Sequence, residues 1–399
     1  MQSPLPDMPD TPERGSEVGL RSQAVPRPVG AKLYHAVVPM LTGERTDPLA
    51  KVAVWSLVPT AILYTVGLKL YLLPYRLGLR RRHRLPCCVV SIGNLVAGGT
   101  GKTGLTITLA RGLQQAGYRL CILSRGFHGH YSGAAAVIST PSEILHGPDV
   151  AGDEPALMAR ALPGVPVIVG KDRRLTGRLA VERFRPQIII LDDGAQYYQL
   201  HRDVEIILLT ATRPFGNGWT LPAGVLREPP SHLKRATHVV IHFDRAGCSG
   251  KLPELRTLPE NRLFSGRYIA SALEDAATRE RFPAEQLRGT AVASLCALGN
   301  PQAFEETLTA TGAHIVRAYR LPDHATLRRS EAQAILQEAK QAGAASMVIS
   351  QKDAVKWPSV ASPLPVFVLV AEFHLDRLDE LVFQIAKAAD QYVKGGSQA

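Results

Sequence analysis

The segment SIGNLVAGGTGKT, residues 91–103, holds the side chains best suited to chemistry. Gly98, Gly99 and Gly101, with Thr100 among them, let backbone N–H groups approach phosphate oxygens that bulkier residues would exclude. Lys102 and Thr103 then open a helix, so that the ammonium reaches the outer phosphates and the hydroxyl is placed to ligate magnesium. The strict form of this loop has glycine five positions before Gly101. Val96 stands there, which makes the loop a variant, but the strand before it and the helix after it mark it as a phosphate cradle.

A second segment, PQIIILDDGAQ over residues 186–196, is an apolar run ending in Asp192 and Asp193. Parallel strands present their functional ends along one carboxyl edge, so a carboxylate there stands beside the phosphate loop and can organise magnesium. An isolated pair of aspartates would also serve as a helix cap or solvated turn; the phosphate loop upstream favours the metal-organising reading. In AGDEPALMAR, Asp153 and Glu154 begin a helix, where acids commonly cap or compensate the dipole. RLPDHATL places His324 beside Asp323, and LPAGVLREP holds Arg227 and Glu228 in a proline-bounded loop. A surface histidine and a salt-bridged turn are the plainer readings of those two.

These residues need a scaffold, and hydropathy supplies one. Apolar β-branched runs at Cys88–Ile92, Leu120–Leu123, Val165–Val169, Gln187–Leu191, Val204–Leu209 and His238–His242 alternate with helical stretches such as Lys102–Ala116 and Arg173–Phe184. Strands apolar on both faces, separated by helices, predict a parallel sheet covered on both sides. A second series follows at Ala291–Leu298, His314–Arg320, Ser346–Ile349 and Val366–Val370, with an amphipathic helix over Leu375–Val393 to close it. The expected fold class is α/β, a P-loop NTPase-like parallel-sheet domain (85–245) joined by a Pro-, Gly- and charge-rich linker (246–289) to a smaller α/β domain (290–399).

Ahead of these domains lie a Pro-rich tail (1–48), expected to be disordered, and an apolar stretch from Val52 to Tyr75 broken by one charge, Lys69. Spanning a bilayer takes roughly 20 apolar residues. Arg76, Arg80, Arg81, Arg82 and Arg84 follow the stretch without a compensating acid, which places the downstream domains on the cytoplasmic side if the stretch inserts. Residues 49–84 are therefore expected to be a membrane-anchoring helix with a basic flank; a core helix or in-plane anchor is the alternative.

The 399 residues carry 46 Lys and Arg against 35 Asp and Glu, a net charge of +11 that suits an anionic membrane or phosphorylated ligands as well as nucleic acid. No RNA-binding aromatic pattern accompanies it, and neither a nucleic-acid partner nor an obligate protein partner is expected. Five cysteines without a CxxC pair argue against a zinc site and a disulfide framework. The guanine-reading motif is missing too, since Lys352 and Asp353 are adjacent in Ser350-Gln351-Lys352-Asp353. A P-loop phosphotransferase, a membrane-tethered ATPase and a nucleotide-binding regulator all remain open on these grounds.

Taken in order, the anchor with its basic flank, SIGNLVAGGTGKT, Leu123-Ser124-Arg125-Gly126-Phe127, Gly152-Asp153-Glu154-Pro155, Leu191-Asp192-Asp193-Gly194, the 221–229 loop, Leu298-Gly299-Asn300-Pro301, Asp323-His324 and the 351–356 segment QKDAVK resemble the tetraacyldisaccharide 4'-kinase family. The resemblance implies transfer of the ATP γ-phosphoryl group to the 4'-hydroxyl of a tetraacyldisaccharide 1-phosphate, giving lipid IVA at the cytoplasmic face of the inner membrane. It assigns phosphate binding to Gly98, Gly99, Thr100, Gly101, Lys102 and Thr103, and the magnesium site to Thr103, Asp192 and Glu228. It makes Asp153 the proton acceptor, oriented by His324, and has Arg125, Asp193 and Gln196 line the substrate site. The chain departs from the family pattern at Ala195 and Tyr197 around Gln196, at Phe127 in place of tyrosine, at Ser350-Gln351, and at Ala325.

Overall fold

The central parallel strands form where the apolar runs end in turns. A computed structural model describes residues 37–245, 255, 258–323 and 325–396. Most of the expected tail, Cys248 and His324 lie outside the described residues. The strands are β1 (Cys88–Gly93), β2 (Leu120–Ser124), β3 (Ala136–Ser139), β4 (Val167–Val169), β5 (Ile188–Asp192), β6 (Val204–Thr210) and β7 (His238–His242). They continue as β8 (Leu263–Asp275), β9 (Arg281–Phe282), β10 (Ala291–Cys296), β11 (His314–Arg320), β12 (Ser346–Ser350) and β13 (Val366–Leu375).

Their order is β11-β10-β12-β13-β8-β7-β6-β1-β5-β2-β4-β3, with β9 paired to β8, so the sheet runs unbroken through both series. It is parallel except at three pairings: β3 on β4, β9 on β8, and β13 on β8. The fold class is the expected α/β one. The segment expected as a linker holds β8, thirteen residues that pair parallel with β7 at one end and antiparallel with β13 beyond it. Phe373 of β13 faces Tyr268 of β8 across this joint and packs edge-on against both Tyr268 and His242.

Alternation along β1 shows how the sheet is covered. Cys88, Val90 and Ile92 point into a core shared with helix α2 (Lys102–Gln115), while Val89 turns to the opposite layer with Ala180 of helix α5 (Arg173–Phe184). The last helix, α9 (Leu378–Gly396), joins a core that includes Phe373 and Leu375 of β13 and reaches into the first series. Leu381, Val382, Ile385 and Ala389 pack beside Leu109 and Leu113 of α2, and Tyr392 donates to Asp203 at 2.8 Å.

The apolar stretch is helix α1 (Pro48–Arg76), 29 residues with Asp47 capping its start by accepting from the Ala50 N–H. Its length and composition suffice to cross a bilayer. One stripe meets the protein: Val58 and Ala61 pack on Ala223, Thr65 bonds Thr220 at 2.8 Å, and Trp55 meets Trp219 edge to face. Leu49, Val52, Leu63 and Leu70 on the rest of the helix are more than 60% exposed.

Phe373 is buried at the joint between the two blocks of strands. Phe373→Ala is expected to destabilise the fold by about 3–5 kcal/mol, measured by chemical denaturation.

Candidate active site

The phosphate loop leaves the end of β1 and is held from three directions. Asn94 donates to the Thr100 hydroxyl at 2.9 Å, bridging the loop from within. His242 at the end of β7 donates through Nδ1 to the Thr100 carbonyl at 2.8 Å, and burial keeps its imidazole below the ordinary range, hence neutral. The 221–229 segment pairs along the outside, with Ala97 N–H donating to Val225 and Arg227 N–H to Leu95, both at 2.7 Å. Gly101 caps α2 at φ +97°, a left-handed conformation that a side chain would strain. Its neighbours Gly98 and Gly99 lie exposed at the loop's tip, whereas Thr100 is buried.

Strand pairing sets the carboxylates. β1 and β5 are neighbours with Ile92 level with Asp192, so the double aspartate emerges beside the loop. Asp192 is buried and, among the described residues, accepts only hydroxyl hydrogen bonds, from Thr106 and Ser124 at 3.3 Å each. Burial first, then the nearby Glu154 and Asp193, push its carboxyl well above the ordinary range, against the pull of Lys102 and Arg173. Asp193 takes φ +53°, which turns its carboxylate to Lys102 at 3.6 Å and to Arg227 at 2.9 Å. Burial would raise its pKa, but Lys102 and Arg227 outweigh it and hold the group ionised.

Glu228 has the opposite setting. Its carboxylate is fully buried and accepts from four side chains: Gln196 and His232 at 2.8 Å, Arg235 at 2.6 Å, and Tyr198. Burial alone would raise its pKa, yet His232 and Arg235 bring it down to about 2. The expectation of Glu228 as a metal ligand thus meets a carboxylate already filled by donors. Gln196 links the two acids, accepting from Arg227 at 3.2 Å while it donates to Glu228. Next to it Tyr197 donates to Asp172 at 2.6 Å, tying this turn to the start of α5. From there Arg173, buried and donating to the Gly170 carbonyl, adds positive potential at Asp192.

Two further motifs converge from elsewhere. Arg125 is exposed on the loop after β2. That loop lies on Gly152, at φ +84°, where an added Cβ would strike the Phe127 carbonyl oxygen at 2.3 Å. The loop therefore borders Asp153, the first residue of helix α4 (Asp153–Ala161). From the second series, a Cβ on Gly299 would lie 3.2 Å from the Gly99 nitrogen, so the 298–301 turn sits against the tip of the phosphate loop. Lys356 pairs with Asp153 at 2.8 Å and Lys352 with Asp323 at 2.9 Å, which bring the 351–356 segment to both acids. His324 itself lies outside the described residues.

Sequence reasoning gave no role to Lys356, His242, Tyr198, His232 or Arg235. Only Lys356 stands inside a quoted motif; the others carry no local signal. Among the described residues no cluster of three His, Cys, Asp or Glu could hold a metal by itself. Asp192, bonded by hydroxyls alone among the described residues and held by Thr106 of the helix whose start carries Thr103, has the donor chemistry that suits a magnesium ion.

A phosphate loop beside a buried carboxylate, at the carboxyl edge of a parallel sheet, defines the class of P-loop nucleotide-binding proteins. The family model described as tetraacyldisaccharide-1-P 4'-kinase matches residues 53–388. A tetraacyldisaccharide 4'-kinase of Syntrophus aciditrophicus is 37% identical over 342 residues, covering 82% of this chain and 91% of that protein. Another, from Anaeromyxobacter dehalogenans, is 41% identical over 318 residues, with 78% and 84% covered. Among solved structures, LpxK from Aquifex aeolicus in complex with ATP aligns at a TM-score of 0.67 and 29% identity, over 84% of this chain and 99% of that one. The chain belongs to the tetraacyldisaccharide-1-phosphate 4'-kinase family.

The two buried acids should respond oppositely to neutralisation. An acid whose folded pKa is raised loses stability as pH climbs past its free value, 3.8 for Asp192. Asp192→Asn is therefore expected to abolish turnover yet raise the thermal midpoint of the metal-free protein by a few degrees at mildly alkaline pH. Glu228 stabilises above its free value of 4.5 and loses that contribution as pH falls towards 2. Glu228→Gln is expected to cost about 3 kcal/mol or more, read by denaturation near neutral pH.

Proposed function

We propose that this chain transfers the γ-phosphoryl group of ATP to the 4'-hydroxyl of a tetraacyldisaccharide 1-phosphate, a step of lipid A biosynthesis, at the cytoplasmic surface of the inner membrane. The observation that carries this is the seat of α1. Its small-residue stripe docks on the 219–228 loop, Tyr64 donates to the Arg227 carbonyl at 2.9 Å, and that same loop holds the phosphate cradle. An apolar helix and the phosphate site are thus one loop apart, as a reaction between a water-soluble nucleotide and a bilayer-bound lipid requires.

Phosphoryl transfer passes through a loose transition state with charge spread over the γ-oxygens, so positioning and electrostatics dominate. Lys102 holds the outer phosphates, giving up its ion pair with Asp193 to do so. The amides of 98–103 bind the remaining oxygens. A magnesium ion held by Thr103 and Asp192 would neutralise phosphate charge. Asp153 accepts the proton of the attacking hydroxyl, with Lys356 fixing the orientation of its carboxylate and His324 the expected second partner. Arg125, Asp193 and Gln196 line the headgroup side. Gly299 against Gly99 supports closure of the 298–301 turn over the nucleotide.

The test is purified protein with magnesium, ATP and tetraacyldisaccharide 1-phosphate in mixed micelles. ATP-dependent formation of the bisphosphorylated lipid is expected; ATP hydrolysis without it would return the chain to the tethered-ATPase reading. Asp153→Asn is expected to lower kcat by about 10²–10⁴-fold with the KM for ATP little changed. Lys102→Ala should weaken both, and a lysine variant retaining near-full turnover would remove it from the site.

A further inference from the structure

Away from the phosphate site, a cavity of about 530 Å³ opens where the chain leaves α1. Arg80, Arg81, Arg82 and Arg84 line it from the segment after the helix, and Arg174 and Arg178 from the first turns of α5. Among the described residues Asp172 is the one acid in the lining, and its carboxylate is already held by Arg174 and Tyr197. Arg80, Arg81, Arg82, Arg84 and Arg178 have no salt bridge among the described residues. Six guanidinium groups thus share one concave surface with one committed carboxylate, an arrangement whose mutual repulsion an anion would relieve.

The walls are built, not draped. His83 N–H donates to the Gln199 carbonyl at 2.8 Å and His201 N–H returns to His83 at 2.8 Å, a short parallel bridge that pins the arginine segment. Leu85 is buried against Gly177, where any side chain on that glycine would collide with it, so the segment and α5 keep their spacing. Arg80 stacks over the Tyr75 ring at 5.2 Å. The rim continues directly into exposed apolar residues at the end of α1 and just after it, Leu73, Leu77 and Leu79, the last 78% exposed.

We infer that this basin binds the phosphate of an anionic phospholipid headgroup. Guanidinium forks match phosphate oxygens two at a time, which lysines do not. The adjoining leucines place the opening at the level where a bilayer presents its phosphates. The inference rests on α1 as the membrane anchor and adds to it: the helix supplies apolar attachment, and the basin supplies preference for charged lipid and sets how the body sits on the surface.

Flotation of the full-length protein separates the two. Neutral phosphatidylcholine vesicles read the helix alone, and their failure to bind would sink the anchor. Adding phosphatidylglycerol should tighten binding by about tenfold or more; no such gain would overturn the basin whatever the neutral vesicles show. Arg81→Gln, Arg82→Gln and Arg84→Gln together should remove the gain while an unchanged thermal midpoint shows an intact fold. The corresponding triple lysine variant should also lose most of it. Full retention there would mean diffuse charge and no site. Inorganic phosphate that competes as well as vesicles do would assign a soluble anion instead. A raised KM for the disaccharide in phospholipid-free micelles, with the phosphatidylglycerol gain intact, would give the basin to the substrate's own phosphate.

Discussion

Asp192 is the group on which the arrangement turns. A carboxylate taken out of water, given only two hydroxyl donors and set near two further acids, is costly for any fold to hold. The sheet holds it because the group is the last residue of a central strand, fixed by ladders to β1 on one side and β2 on the other. Everything nearby answers that charge without neutralising it in place: Lys102 leans to Asp193, and Arg173 stays within electrostatic reach while bonded to a carbonyl. Glu228, joined to Asp193 through Gln196 and Arg227, is equally buried and accepts from four side chains. The contrast is between an acid left with two hydroxyl donors and one whose carboxylate is filled by four side-chain donors.

Parts of this were legible in the sequence because their causes are local. The phosphate loop is set by which residues permit a left-handed turn and bare amides, and those are read directly from Gly98, Gly99 and Gly101. Central parallel strands such as β1 and β5 are apolar on both faces, so they stand out as runs. β8 does not. Arg267, Ile269 and Ser271 alternate outward along it, and its sequence LFSGRYIASALED reads as an irregular, half-polar stretch suited to a connection. Only the pairing with β7 and β13, which no local pattern encodes, makes it the strand at which the two series join.

The same reasoning explains the side chains that were missed. Lys356 lies 203 residues from Asp153, and His242 lies 142 from Thr100. Neither residue type at those positions differs from a surface lysine or a core histidine until the sheet brings the ends of its strands to one edge. Glu228 is expected as a metal ligand from the family resemblance alone; the partners that fill its carboxylate, His232 and Arg235, come from the following 3-10 turn, which a proline-rich stretch conceals.

Helix α1 is built into the wall of the phosphate site. A helix that only tethered would need no particular face, yet α1 presents Val58, Ala61 and Thr65 to the protein and Leu49, Leu63 and Leu70 outward. Small residues permit close approach to the 219–228 loop, and the loop in turn carries the backbone of Arg227 and the carboxylate of Glu228. Displacing the helix would expose Ala223 and loosen the strand-like pairing along residues 95–97 that shapes the phosphate cradle. The outward leucines form a contiguous exposed apolar surface, the kind that marks a docking face for lipid or protein. Insertion of that surface, as proposed above, would hold the loop in place, so that the lipid would act as a structural support of the phosphate cradle.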